Sequence, residues 1–176
     1  MTTAFVLIAA SAVGVSSAPA DTAPPGDIPD NQAFVTFRGS GYSLKTPEGW
    51  GRTRHGSTVT LTDKFNSIRV ELARAPQPPS VASAKRGDVA RLKATAKNFQ
   101  LRSVARVARA AGPAVLIIYR AASPPDSVTG KTLLQDVERY TFWKAGRAAT
   151  ITLAAPRGSD NVDAWRLVTN SFRWLP

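Results

Sequence analysis

"PDSVTGKT", residues 125–132, ends like a phosphate-binding loop, with Gly130, Lys131 and Thr132 in the Gly-Lys-Thr order. That loop also needs a glycine five positions earlier, and Pro125 stands there. Proline has no N–H to offer a phosphate, and the segment runs on into a strand pattern where the loop must open a helix. Nucleotide binding is therefore excluded. His55 is the single histidine, set in "RTRHGST" beside Arg52 and Arg54. A hydrolytic triad would need Ser57 or another hydroxyl plus a carboxylate in reach, and no G-x-S-x-G elbow is present. His55 reads as a turn residue. Asp136 and Glu138 lie two apart on a strand pattern and so share a face. Such a pair could move protons or hold a cation, or it could simply meet Lys or Arg across the sheet. Asp160 and Asp163 serve as helix-start signals. With no cysteine and one histidine, thiolate chemistry, disulfides and a multi-histidine metal site are excluded. The expectation is no catalytic, cofactor or metal residues.

Charge is the stronger signal. The 176 residues carry a formal net +11. Between positions 85 and 109 stand Lys85, Arg86, Arg91, Lys93, Lys97, Arg102, Arg106 and Arg109 against Asp88 alone, which is +7 of that excess. A field of one sign favours anionic partners, and it also keeps a protein soluble as a plain solvated face. The candidate anion-binding residues are Arg86, Arg91, Lys93, Lys97, Arg102, Arg106 and Arg109.

Period-two segments must position these residues. "FVTFR" and "YSLKT" flank Gly39 and Gly41; "STVTLTD" and "SIRVELA" flank "DKFN". Val59 and Leu61 share a face, as do Ile68, Val70 and Leu72, with Arg69 and Glu71 opposite. After "APQPPS" the period changes. Val89, Leu92, Ala96 and Phe99 mark one face of a helix over about 81–98, with Gly87 its weak point. "LRSVARVARAAGPAVLIIYRAAS" is alanine-rich enough for helix, yet Gly112-Pro113 and the apolar run 115–119 favour two strands. "KTLLQDVERYTFWK" and "RAATITLAA" form a hairpin across Ala145-Gly146. A last helix buries Val162, Trp165, Val168 and Phe172, capped by Ser159 or Asp160. Trp50, Phe65, Tyr140, Phe142, Trp143, Trp165, Phe172 and Trp174 could line a pocket, and core is their default place. Hairpin-linked strands with interspersed helices make an α+β fold: an antiparallel sheet with helices packed on it.

The N-terminus carries an apolar run over 4–15 followed by small residues, with Ala18 and Ala20 in a small-x-small pattern. Residues 1–20 read as a signal peptide cut after Ala20, although no Lys or Arg precedes Arg38; a buried helix is the alternative. Residues 21–33, rich in Pro and Asp, read as a linker, and 34–176 as the domain. No later run is long enough for a transmembrane helix.

"GYSLKTPEGW", "RGSDNVDAWRLVTNSFRW", the Gly-Pro hairpin and "VERYTFWKAGRAATITLAAP" together resemble the PsbP-like fold, and within it look most like the LpqN-type lipoproteins of actinobacterial envelopes. The resemblance covers about residues 34–175. It implies a central antiparallel sheet flanked by helices, an α/β/α sandwich, in an exported protein that works by interaction and not by catalysis. The lipobox cysteine common in that family is replaced by Ala20-Asp21, which weighs against a lipid anchor. No ligand residues match the calcium and manganese role of plant PsbP. The expectation is an exported, non-enzymatic envelope accessory or interaction protein with a basic surface. Its partner would be lipid head groups, a wall polymer or another envelope protein, and not nucleic acid. The alternative is a carrier or sensor of a small ligand in a pocket between sheet and helix.

Overall fold

The computed structural model describes residues 26–126 and 129–176. The expected signal peptide over 1–20 lies outside them. The described residues form ten strands and two helical segments: the eight strands read from the sequence, a further one at 51–55 where a turn was expected around His55, and a short one after the last helix. The strands are β1 (Phe34–Gly39), β2 (Tyr42–Pro47), β3 (Gly51–His55), β4 (Thr58–Asp63), β5 (Asn66–Arg74), β6 (Gln100–Arg109), β7 (Gly112–Ala122), β8 (Leu134–Lys144), β9 (Arg147–Pro156) and the short β10 (Arg173–Trp174). Every pairing is antiparallel. The strands do not form one sheet. Seven pair in the order β3-β4-β5-β9-β8-β7-β6, and β1-β2-β10 form a separate three-stranded sheet.

The hairpins follow from local chemistry. Ala145 (φ 47°) and Gly146 (φ 79°) both adopt the left-handed region, which matches the twist of a tight β8–β9 turn. Gly39 faces Tyr42 across the β1–β2 ladder, and a Cβ there would lie 2.3 Å from the Tyr42 ring. The missing side chain is what lets the ring lie over the strand. Pro47 closes β2, Gly49 (φ 83°) turns the chain, and Trp50 packs against the main core.

The large sheet has two unlike faces. On the first, Ile68, Val70, Tyr140, Phe142, Ile151 and Leu153 meet Tyr42 and Leu44 of the small sheet. Trp165 and Val168 from helix α3 (Val162–Ser171) complete this core, with Phe172 stacked on Phe142 at 4.8 Å. Ten residues of helix bury one stripe, and Val162 is not on it: it is 62% exposed. Asn161, not Ser159 or Asp160, is the residue before the helix, and its side chain makes no cap bond.

On the second face, Val115, Ile117, Tyr119 and Val137 are covered by Val89, Leu92, Ala96 and Phe99; Val89 and Leu92 do so from the helix as expected, whereas Ala96 and Phe99 pack from the chain just beyond its end. This helix opens at Ser80, whose side chain and that of Ser83 satisfy each other's backbone N–H. It runs as α1 (Val81–Ala84), widens into a π turn over Lys85–Val89, and continues as α2 (Ala90–Thr95). The widened turn contains Gly87. The helix ends at Thr95, short of Asn98, because Ala96 is extended and Asn98 left-handed.

The described part of the 21–33 segment is docked onto the domain. Ile28 is buried in the main core. Its N–H donates to Asn161 Oδ1 at 2.6 Å, and Asn161 Nδ2 donates to Gly26 O at 2.9 Å. A composition typical of linkers thus becomes a strap, because Asn161 supplies the partners that its backbone needs.

Candidate functional site

The second face of the large sheet is only partly covered. The 81–95 helix lies over β7 and its neighbours, while β5, β9 and the near side of β8 remain open. Between them runs an open groove of about 850 Å³. Strand register builds its floor, because paired residues share a face. Arg69, Thr152 and Arg139 form one row across β5, β9 and β8, with Ile117 of β7 beyond them. Glu71, Thr150 and Thr141 form the next row, and Ala73 and Ala148 the one after. Tyr119 of β7 lines the groove at the charged end. Pro78, Pro79 and Ala75 wall the other end, where Trp143 Nε1 donates to Ala75 O at 2.7 Å and fixes the connection. The helix contributes Asp88, from the π turn, with Arg91, Leu92 and Thr95.

Charges in the groove are interlocked. Glu71 accepts from Arg69 Nη2 at 3.0 Å and from Arg139 Nη1 at 3.1 Å. The same Arg139 nitrogen donates to Thr152 Oγ1 at 2.9 Å. Arg91 pairs with Asp88. Three guanidinium groups therefore face two carboxylates. Arg139 Nε is buried and has no hydrogen-bond partner among the described residues. Burial pushes the Tyr119 phenol up from its ordinary value, more than Arg139 pulls it down, so it stays a neutral donor at ordinary pH.

The seven basic residues expected to bind anions divide. Arg86, Lys93 and Lys97 are exposed on or just after the 81–95 helix, and Arg102 and Arg106 are exposed on β6, an edge strand of the large sheet. Arg91 is exposed too, but it lines the groove and is engaged with Asp88. Arg109 turns inward: Nη2 donates to the Tyr140 hydroxyl at 2.9 Å and Nε to Thr169 Oγ1 at 3.1 Å, with the guanidinium 4.9 Å from the Tyr140 ring centre. It joins β6 to α3, which removes it from the outer surface. The β6 register shift between Leu101 and Ser103 resets which side chains face inward after it.

The other candidates resolve into structural contacts. Asp136 binds Arg120 of β7 and accepts the Gly158 N–H at 3.1 Å. Glu138 accepts the Tyr140 hydroxyl at 2.7 Å. His55 is exposed on β3 next to its turn. The Gly130 N–H goes to Asp126 O, closing a turn of its own. Among the described residues no group of three or more His, Asp or Glu could hold a metal ion, and no helix is long and apolar enough to cross a membrane. Of the aromatics, Tyr140, Phe142, Trp165 and Phe172 are core, whereas Phe65 is 43% exposed at the β4–β5 turn. The groove itself went unread, since its residues look in sequence like the solvated side of alternating strands. The cue was present as Arg69, Glu71 and Arg139 on β patterns together with three threonines at Thr141, Thr150 and Thr152.

No protein-family model matches the chain, and no curated protein matches it in sequence. Solved structures do match. Cyanobacterial PsbP (CyanoP) from Synechocystis sp. PCC 6803 aligns with a TM-score of 0.58 and 12% identity over 90% of this chain and 98% of that one. The Saccharomyces cerevisiae Ran-binding protein Mog1p aligns with a TM-score of 0.53 and 11% identity over 82% and 96%. LpqN of Mycobacterium tuberculosis, described as involved in cell envelope biogenesis, aligns with a TM-score of 0.49 and 14% identity over 87% and 90%. The chain spans 46% of the length of a Bacteroides thetaiotaomicron protein that it also matches. The fold is thus PsbP-like: an α+β sandwich of antiparallel sheet and flanking helices.

Proposed function

We propose that this chain is a non-enzymatic accessory protein of the cell envelope, exported and held at an anionic surface by its basic side. The observation that carries the reading is the set of exposed, uncompensated cations on two neighbouring elements. Arg86, Lys93 and Lys97 belong to the 81–97 segment, and Arg102 and Arg106 to β6; the one acidic residue among them, Asp88, is already paired with Arg91. Near an anionic membrane each Lys or Arg contributes on the order of 1 kcal/mol, so several together retain a protein without a lipid anchor. The PsbP-like fold supports the reading through its company: CyanoP and a Ran-binding protein share it. Export rests on the apolar run and small residues of positions 1–20.

The test is co-sedimentation of the domain with anionic and neutral vesicles at low and high salt. Wild type should sediment with anionic vesicles at low salt and be released as salt rises, because exposed charges are screened over about 8 Å at physiological ionic strength. The combined Arg86→Ala, Lys93→Ala, Lys97→Ala variant should lose most of the binding, and Arg109→Ala should not. Equal retention on neutral vesicles, or no loss in the triple variant, rejects the reading. An insoluble wall polymer in place of vesicles distinguishes the two envelope anions.

A further inference from the structure

The groove is charged at one end and uncharged, with mostly apolar lining, at the other, and strand register sets that gradient in its floor. Passing along the strands from the Arg69–Thr152–Arg139 row to the Ala73–Ala148 row covers about 14 Å, four residues at roughly 3.4 Å each. The first row carries two guanidinium groups with N–H groups beyond those given to Glu71 and Thr152, and Tyr119 beside it offers a hydroxyl with no protein partner among the described residues. The far end is lined mainly by Ala73, Ala75, Ala148, Pro78 and Pro79, with Gln77 and Ser83 as its polar side chains and no charged group among them. The volume, about 850 Å³, falls within the range of small-molecule sites.

We infer that this groove binds a small amphipathic organic anion, its carboxylate or phosphate head at Arg69, Arg139 and Tyr119 and its hydrocarbon chain lying toward Ala148 and Pro79. The charge count sets the sign. Glu71 already neutralises one of the two arginines it bridges, and Asp88 neutralises Arg91. One positive charge is left over, and a monoanion balances it. A cationic head would instead compete with Arg69 and Arg139 for Glu71. Arginine suits the head because its fork gives two parallel N–H bonds to a carboxylate or phosphate. Because Tyr119 remains protonated, it acts toward the head as a donor. The helix wall contributes Asp88 from the π turn and Arg91 from the α-helical turn after it. This site is separate from the outer basic residues and does not depend on export or on membrane binding.

The experiment follows the Tyr119 ring and Ala148 amide signals by heteronuclear NMR during titration with hexanoate, hexyl phosphate and uncharged hexanamide. Saturable shifts at both positions are expected with at least one anion, and binding of hexanamide should be about tenfold or more weaker. Hexanoate alone identifies a carboxylate head, hexyl phosphate alone a phosphate head, and both together a head read by charge only. Arg69→Gln and Arg139→Gln should each weaken binding about tenfold or more. Arg69 is half exposed, so its replacement leaves the fold intact, and thermal unfolding of each variant is recorded alongside. The Arg86→Ala, Lys93→Ala, Lys97→Ala variant should bind hexanoate as wild type does, which separates this site from the envelope surface. No saturable shift with either anion, equal binding of hexanamide, or unchanged affinity in a folded Arg69→Gln variant overturns the inference.

Discussion

Tyr140 has a pKa pushed up to about 12, first by burial and then by its hydrogen bond to Glu138, against the opposing pull of Arg109. Burial also raises Tyr42 and Tyr119, so all three tyrosines of the chain ionise above their ordinary value of 10.0 when folded. The sign of the consequence is fixed by linkage. Between pH 10 and the folded pKa values the unfolded chain loses protons that the folded chain keeps. The tyrosine contribution to stability is therefore fully present below pH 10 and is lost as pH rises through about 12. Ultraviolet absorbance of tyrosinate should stay flat through pH 10 in the folded protein and rise there in denaturant. A normal tyrosine titration at pH 10 without unfolding would contradict the burial of these rings. The same residue explains Arg109: a cation that reads as surface in sequence is held inside by the Tyr140 hydroxyl and ring.

Among the elements, α3 shows how far periodicity reaches. Trp165 and Val168 lie on the stripe that spacing predicts, whereas Val162 shares the same spacing and stays in solvent. Position 162 is the first residue of the helix, and its side chain turns outward while Asn161 just before it is buried. Trp165→Ala should cost about 3–5 kcal/mol in urea unfolding, and Val162→Ala should stay within about 0.5 kcal/mol. Comparable losses at both positions would mean that α3 is rotated about its axis. The 81–95 helix was legible from Val89, Leu92, Ala96 and Phe99, but the π turn at Lys85–Val89 was not, since a single extra residue in one turn barely disturbs a three-and-four pattern.

Across the whole molecule, residues 26–33 before β1 belong to the folded unit. Asn161 holds Ile28 and Gly26 from a distance of 133 and 135 residues along the chain. Asn161 is buried and also reaches Asn66 Oδ1 at 3.3 Å. Asn161→Ala leaves the buried Ile28 N–H without its acceptor and should destabilise by about 1–3 kcal/mol. A chain beginning at Phe34 should melt at a lower temperature than one beginning at Asp21. In that shortened chain Asn161→Ala should cost less, because Ile28 and Gly26 are already gone and only the Asn66 contact remains. Additive losses would show that Asn161 acts elsewhere.

The sequence by itself determined the local order of this protein. Alternation of apolar residues places β4, β5, β8 and β9 and their inward faces, Gly and Pro mark the hairpins, and a change of period marks the helices, because each of these is set within a few residues. It also excluded a phosphate loop on Pro125 alone. Only the tertiary structure decided that the strands divide into two sheets, that residues 26–33 dock, and that a charged groove exists. The groove unites Glu71 with Arg139, 68 residues apart, through β9, which pairs with both β5 and β8. An Arg, a Glu and a row of Thr on alternate strand positions look like any face turned to water. They become a site only because β9 closes the register between them and the 81–95 helix stops short of covering them, and neither is written in the spacing of any one segment.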